Sequence, residues 1–263
     1  MSYSSYHFTH AICRLPSRSL VDGLRAVDIG QPDYDLFRQH HMEYVEALKS
    51  TGAIVTVLDE LESYPDSVFV EDAVLCLPKG AVIMRPGAPS RLGEANAIKS
   101  AISKFYTQVE QINGSGFIEG GDILVTENEI LVGKSARTND EGINELAFII
   151  EKWGYTLRQV DTPDDVLHFK TDCSLLDEAT ILSTKRLAAT GCFENYKVIY
   201  TADGEEACAN TIRFNEYILM PDGFPKTERK LIDLGYNIKK IGNTEAAKLD
   251  GGMSCLSLRF SPS

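Results

Sequence analysis

The chain has 263 residues, 26 of them Lys or Arg and 38 Asp or Glu, for a formal net charge of −12. Apolar residues make up 43% and charged residues 24%, the balance of an ordinary folded chain, which excludes wholesale disorder. The acidic excess argues against nucleic acid or an anionic membrane as partner, because both require a basic face, and is compatible with a cationic small substrate.

At about 150 residues per domain the length allows one or two domains, and a single domain over residues 1–263 is expected. No apolar run approaches the roughly 18 to 20 residues of a membrane span. The N-terminal stretch lacks the basic and apolar regions of a signal peptide. Six cysteines (Cys13, Cys76, Cys173, Cys192, Cys208, Cys255) are scattered without a C-x-x-C pair. A chain this long needs no covalent staples, so a reduced, cytoplasmic protein is expected.

A five-fold grammar runs along the chain. The first unit opens with an apolar strand over 10–13 and a turn at Leu15-Pro16, then a helix over 35–48 and a strand over 53–57. The second has a strand over 81–84 ending at Arg85-Pro86-Gly87, a helix over 94–105 and a strand over 107–112. The third repeats this with 130–132, 140–153 and 155–160, and the fourth with 180–182, a shorter helical stretch and 197–200. The fifth has 217–220, a turn at Pro221-Asp-Gly223, a helix over 226–234 and a strand over 236–241. The helices carry apolar residues at three- and four-residue spacing, and the turns carry Pro, Gly or Ser. Gly154 and Gly235 sit where two of the helices must stop. A final strand over 256–260 is placed to pair with the N-terminal strand and close a ring.

Between units a polar loop leads to a third short segment, read as a strand. These segments are Asp66-Ser-Val-Phe-Val-Glu71-Asp72, Glu119-Gly-Gly-Asp122, Leu167-His168-Phe-Lys170, Ala209-Asn210-Thr-Ile212 and Gly251-Gly-Met-Ser-Cys255. Arranged about an axis, they converge on one pocket lined by carboxylates, a His, an Asn and a Cys. The plainer alternative is a doubly wound sheet, in which loop acids are only solvated.

His168 is the sole histidine beyond residue 41, and Cys255 follows two glycines that leave room for a ligand. Each has an ordinary reading, a hydrogen-bonded structural His and a buried thiol. Together with acids they suggest a thiolate nucleophile and a His acid/base. Zinc binding by Cys, His and carboxylates is the rival, although no short ligand spacing supports it. Asp66, Glu71 and Asp72 lie within seven residues and Glu119 and Asp122 within four, which implies a bound cation, a metal or a wet surface. No Ca²⁺-loop register, phosphate-binding loop, H-E-x-x-H or G-x-S-x-G is present.

Seven motifs in order carry a resemblance over nearly the whole chain: Ser19-Leu-Val-Asp-Gly-Leu24, Pro65-Asp-Ser-Val-Phe-Val-Glu-Asp72, Arg85-Pro-Gly-Ala, Glu119-Gly-Gly-Asp122, Gly133-Lys-Ser-Ala-Arg-Thr-Asn139, Leu167-His-Phe-Lys170 and Asp250-Gly-Gly-Met-Ser-Cys255. The chain thereby resembles the dimethylarginine dimethylaminohydrolase family, most closely its shorter bacterial form. That family belongs to the guanidine-modifying superfamily, with the five-bladed α/β propeller (pentein) fold. The resemblance implies an α/β propeller of repeated ββαβ units about a pseudo-fivefold axis.

It also implies roles. The cysteine matching Cys255 attacks the guanidinium carbon, the histidine matching His168 is general acid and base, and the acid matching Glu119 supports that histidine. Some members carry Asp where this chain has Glu119. Acids matching Asp66, Glu71 and Asp72 hold substrate nitrogens, and arginines matching Arg85 and Arg137 clamp the α-carboxylate. Leu24 matches a residue of the loop over the pocket, and Asp250, heading the nucleophile motif, is counted with the substrate-binding residues. The implied reaction turns Nω-methylated arginine into citrulline plus dimethylamine or methylamine through an S-alkylthiouronium intermediate, without metal or cofactor. Arginine deiminase chemistry is the alternative, although that family usually adds a helical domain for which this chain has no room. A homodimer is compatible with the resemblance.

Overall fold

The computed structural model describes residues 4–262. The chain forms five three-stranded sheets, in order of the sequence units. The first unit supplies β1 (His10–Arg14), helix α1 (Tyr34–Lys49) and β2 (Ile54–Leu58), with β1 and β2 parallel. The Asp33 side chain caps α1 by accepting the Leu36 N–H at 2.9 Å. The second comprises β3 (Val74–Leu77), β4 (Gly80–Ile83), α2 (Leu92–Ile102) and β5 (Val109–Gln111). The third comprises β6 (Ile123–Val125), β7 (Ile130–Lys134), α3 (Asp140–Glu151) and β8 (Leu157–Asp161). The fourth comprises β9 (Cys173–Asp177), β10 (Thr180–Ser183), the single-turn α4 (Lys185–Ala188) and β11 (Lys197–Tyr200). The fifth comprises β12 (Ile212–Phe214), β13 (Tyr217–Pro221), α5 (Pro225–Asp233) and β14 (Asn237–Ile241), followed by the short α6 (Thr244–Ala247). Finally β15 (Leu258–Phe260) pairs antiparallel with β1, His10 opposite Phe260.

Each complete unit is therefore an antiparallel hairpin followed by a helical crossover to a parallel outer strand, the ββαβ plan of a five-bladed α/β propeller. The first sheet is the exception that closes the ring, because its inner strand comes from the C-terminus. The inner strands β3, β6, β9, β12 and β15 all contribute residues to one axial cavity of about 110 Å³, among them Val74, Ile123, Cys173, Ile212 and Leu258. Apolar cores fill the space between the sheets and their helices. In the third unit Val132, Leu146, Ile150 and Trp153 are buried together. Burying each such side chain contributes roughly 1.5 to 3 kcal/mol.

Gly154 and Gly235 hold φ values of +82° and +92°, the left-handed conformation that ends α3 and α5 at almost no steric cost for glycine. The five segments read as strands are different from that expectation. They are loops entering 3-10 turns: Val70–Ala73, Gly120–Asp122, Phe169–Thr171, Glu206–Ala209 and Ser254–Leu256. The inner strand starts after each turn. Local strand propensity in Val68-Phe69-Val70 yields to the turn, which buries Val70, Glu71, Asp72 and Ala73 together around the axis.

The turns pack so closely that glycine is required at their contacts. A Cβ on Gly120 would run into the backbone carbonyl of Glu71. Neither partner is a flexible side-chain tip. Gly120→Ala is expected to cost about 3 kcal/mol of stability, read as a lower urea midpoint with unchanged slope. A midpoint equal to wild type would mean that the two turns do not touch as described.

Candidate active site

Where the turns meet, a second cavity of about 30 Å³ opens. It is smaller than the axial cavity, yet its walls carry the reactive groups. Asp66, Asp72, Arg91, Arg137, His168 and Cys255 line it. Leu24, Phe69, Leu167 and Leu249 supply an apolar rim, and Asp250 and Gly251 complete it. The two groups on which the sequence reading hinges, Cys255 and His168, therefore face one space.

His168 stands just ahead of the Phe169–Thr171 turn, and its Nε2 lies 2.7 Å from Glu119 Oε2. Glu119 is fully buried; its Oε1 accepts the Gly87 N–H at 2.9 Å and faces Arg137 Nη1 at 3.4 Å. Burial alone would lower the His168 pKa. The carboxylates of Asp72, Asp122 and Glu119 outweigh it and raise the pKa to about 9. Burial would raise the Glu119 carboxyl, but His168, Arg91 and Arg137 hold it well below its usual range. The pair is thus an ion pair at neutral pH, an imidazolium held by a carboxylate.

Cys255 lies in the Ser254–Leu256 turn and is 9% exposed. Its Sγ accepts the Gly252 N–H at 3.4 Å. Burial, then the Glu71 and Asp72 carboxylates, push the thiol up to about 11, against the Gly252 N–H and Lys170. The resting sulfur is therefore a neutral thiol at physiological pH.

The carboxylates are held apart by different partners. Asp72 Oδ1 accepts the Gly121 N–H at 2.8 Å and Oδ2 accepts from buried Arg91 Nη1 at 2.6 Å. Asp66 Oδ1 accepts the Leu24 N–H at 3.0 Å. Burial raises its pKa, although Arg91 and that N–H oppose the rise. Glu71 is not among the residues lining this cavity. It faces the axial one, where Oε1 pairs with Lys170 and Arg259, each at 2.5 Å.

Leu24 sits at the cavity mouth, 38% exposed. The loop that carries it is tied down a second time, because Ala26 N–H donates to Asp250 Oδ2 at 2.6 Å. The Asp250 carboxylate thus ties down the loop beside the cavity it lines, and its φ of +57° bends the chain into the Gly251-Gly252 approach to the nucleophile.

Of the two arginines expected as a clamp, only Arg137 lines the cavity. Arg85 Nη1 instead donates to the carbonyls of Ser115 and Gly116 at 3.2 and 3.1 Å. The second guanidinium in the wall belongs to Arg91, which sequence reasoning passed over. Arg91 is 4% exposed; it binds Asp72, both oxygens of Glu94, and the carbonyls of Asp66 and Phe69. In sequence, Arg91 three residues before Glu94 reads as an ordinary surface pair at a helix start. Only its place between two motifs hinted otherwise.

Asp72, Glu119 and His168 each place one ligand atom within 4.8 Å of the others, close enough for a metal ion. The His168 imidazolium, however, has no lone pair to give while it donates to Glu119, and Asp72 already faces the Arg91 guanidinium. An ion there would break the His168–Glu119 bond and sit beside the Arg91 cation. What the cavity offers without rearrangement is a set of acceptors for a planar cation, a thiol and a proton donor.

Comparison with known proteins agrees. The family model described as N,N dimethylarginine dimethylhydrolase, eukaryotic, matches residues 34–174. An N(G),N(G)-dimethylarginine dimethylaminohydrolase of Pseudomonas aeruginosa is 41% identical over 254 residues, covering 96% of this chain and 100% of that protein. One of Streptomyces coelicolor is 33% identical, covering 95% and 96%. A solved structure of a cysteine-to-serine mutant of the Pseudomonas aeruginosa protein, complexed with citrulline, superposes with a TM-score of 0.94 at 40% identity, over 97% of this chain and all of that one. The N-terminal domain of a cyanobacterial arginine dihydrolase, 19% identical with a TM-score of 0.84 over 96% of this chain and 97% of that one, shares the fold. Matching relatives span the length of the chain, and on their evidence it belongs to the dimethylarginine dimethylaminohydrolase family.

Proposed function

We propose that this protein hydrolyses Nω-methylated arginines, asymmetric dimethylarginine and monomethylarginine, to citrulline and dimethylamine or methylamine. The observation that carries the reading is the convergence on one cavity of Cys255, His168 and the Asp66 and Asp72 carboxylates, with buried Glu119 bonded to His168 behind it. The family's members bear that activity in their names, and one is solved with citrulline bound.

A guanidinium carbon is a poor electrophile because its charge is delocalised. Asp66 and Asp72 orient the planar cation by charge-assisted hydrogen bonds and localise its charge. The cation lies next to Cys255 and offsets the carboxylates that hold the thiol neutral, so reactivity arrives with the substrate. The Sγ–H proton leaves to solvent as the cation binds, and the thiolate adds to the guanidinium carbon. Protonated His168 gives its proton to the departing amine, and the C–N bond breaks to leave an S-alkylthiouronium on Cys255. His168, now neutral, takes a proton from water, which attacks the same carbon. Collapse releases citrulline and restores the thiolate. Glu119 keeps His168 oriented and stabilises its charged form in both steps. General acid–base help of this kind contributes about 10² to 10⁴ in rate.

At the other end of the substrate we assign the α-carboxylate to Arg137, in the positive field of Arg91. Arg137→Ala is expected to raise KM about tenfold or more for dimethylarginine, the range for a hydrogen bond to a charged group. It should matter far less for a methylated guanidine that lacks the carboxylate. Arg85→Ala should change KM less than Arg137→Ala does. The reverse order would move the clamp to Arg85 and overturn the assignment.

The assay is direct: citrulline and dimethylamine are measured with dimethylarginine, and ammonia with arginine. No dimethylamine from the purified protein would end the reading, and faster ammonia release from arginine would select deiminase chemistry instead. We further propose that residues 1–263 act as one catalytic domain in a reducing cytoplasmic setting. All six cysteines are free, and among the described residues no helix is long and apolar enough to cross a membrane.

A further inference from the structure

We propose that Asn210 is a further catalytic residue, whose side-chain amide joins the Gly252 N–H in stabilising the Cys255 thiolate. The proposal rests on Cys255 being the nucleophile.

Four of the five axial turns already have a part: Glu71 and Asp72, Glu119, His168 and Cys255. The remaining turn, Glu206–Ala209, delivers Asn210 at its C-terminal end. Asn210 is 7% exposed and is not among the cavity-lining residues, so it reaches the sulfur from behind rather than from the substrate side. Its Oδ1 accepts the Ser254 N–H at 2.9 Å. A backbone N–H only donates, so this bond settles which end of the amide is oxygen. The NH₂ end must then face Cys255 Sγ, at 3.9 Å. The Met253 N–H donates to the Asn210 backbone carbonyl at 3.3 Å, a second anchor on the same turn. Gly252 makes room for the arrangement, because a Cβ there would run into the Asn210 amide.

The chemistry explains why such donors are needed. Glu71 and Asp72 oppose a negative sulfur, while Lys170 and Arg259 favour it. His168, Arg91 and Arg137 face it from the other walls of the cavity. Asp72 serves substrate binding and Glu71 anchors Lys170 and Arg259, so neither can be dispensed with. Neutral N–H donors stabilise S⁻ over SH without repelling the incoming cation. A contact that is long to the neutral thiol shortens when charge appears on sulfur.

The test uses no substrate. The pH dependence of iodoacetamide alkylation at Cys255, followed by peptide mass mapping, is compared in wild type, Asn210→Ala and Asn210→Asp. We expect the midpoint to rise about one pH unit in Asn210→Ala, a tenfold loss of thiolate, and further in Asn210→Asp. kcat/KM for dimethylarginine should fall about tenfold or more in both. A midpoint within about 0.3 units of wild type in Asn210→Ala overturns the proposal, even if stability falls. A rise in Asn210→Asp alone reflects the added charge and overturns it as well. Should Asn210→Ala not fold, Asn210→Ser takes its place with the same expectation. Because alkylation reads the sulfur alone, a negative result leaves the nucleophile assignment to be judged by Cys255→Ser.

Discussion

Cys255→Ser is expected to lower kcat by about 10⁴-fold or more while leaving substrate binding within a few-fold of wild type, the size of loss seen when a covalent nucleophile is removed. Serine is nearly isosteric, so the cavity and its carboxylates persist. What disappears is the ability to form an anion. The same burial and the same Glu71 and Asp72 charges that push the thiol up to about 11 act on a hydroxyl whose ordinary pKa is far higher. Bringing in a guanidinium cannot close that gap. Nor can His168 serve as its base, since Asp72, Asp122 and Glu119, against the opposing effect of burial, keep the imidazole charged until a pH of about 9. Calorimetry should still detect dimethylarginine binding, because Asp66, Asp72 and Arg137 are untouched. Mass spectrometry of wild type quenched in acid with substrate should find an adduct on Cys255 and none on the variant. Turnover in Cys255→Ser at a tenth of the wild-type rate would mean that chemistry proceeds without the covalent step, with water attacking directly.

Much of this architecture is legible in the sequence because its signals are local. Apolar strand, turn, amphipathic helix and strand recur, and each element needs only its own residues to declare itself. The closing of the ring by β15 on β1 follows from a strand left over at each end of the chain. The convergence of Asp72, Glu119, His168 and Cys255 follows in turn from the same point recurring in each unit. Side-chain direction is not local, and there the reading fails. Val68-Phe69-Val70 has the composition of a strand, yet burial of the neighbouring acids at the axis bends it into a turn. Glu71 and Asp72 are adjacent and chemically alike, but they point into different cavities, because Lys170 and Arg259 claim one and Arg91 claims the other. Arg85 sits in a more distinctive motif than Arg91. The Ser115 and Gly116 carbonyls nevertheless draw Arg85 away, while four buried partners bring Arg91 to the wall. Such outcomes depend on partners as far as 188 positions distant in the chain.

Glu119→Gln isolates the electrostatic half of the mechanism. The amide keeps the size of the side chain and can still meet His168, so geometry changes little. The charge opposite the imidazole is lost. In the wild type, burial disfavours the imidazolium, and Asp72, Asp122 and Glu119 together overcome it to place the pKa at about 9. A raised pKa means that the proton-donating form is present throughout the range below it and is lost as pH rises through it. With Glu119 neutral, burial regains ground and the pKa falls, so the acid form disappears at a lower pH. The alkaline limb of the kcat profile should therefore move to lower pH, and at pH 8 kcat should fall about 10²-fold or more, within the range of general acid catalysis. KM should rise less, because Glu119 meets Arg137 at only 3.4 Å and Asp66 and Asp72 remain to hold the cation. At lower pH the variant should recover part of its rate, because protons then replace the missing charge in filling the imidazole. A uniform loss at every pH, with the limb unmoved, would assign Glu119 a purely steric part and leave the charge of His168 to Asp72 and Asp122.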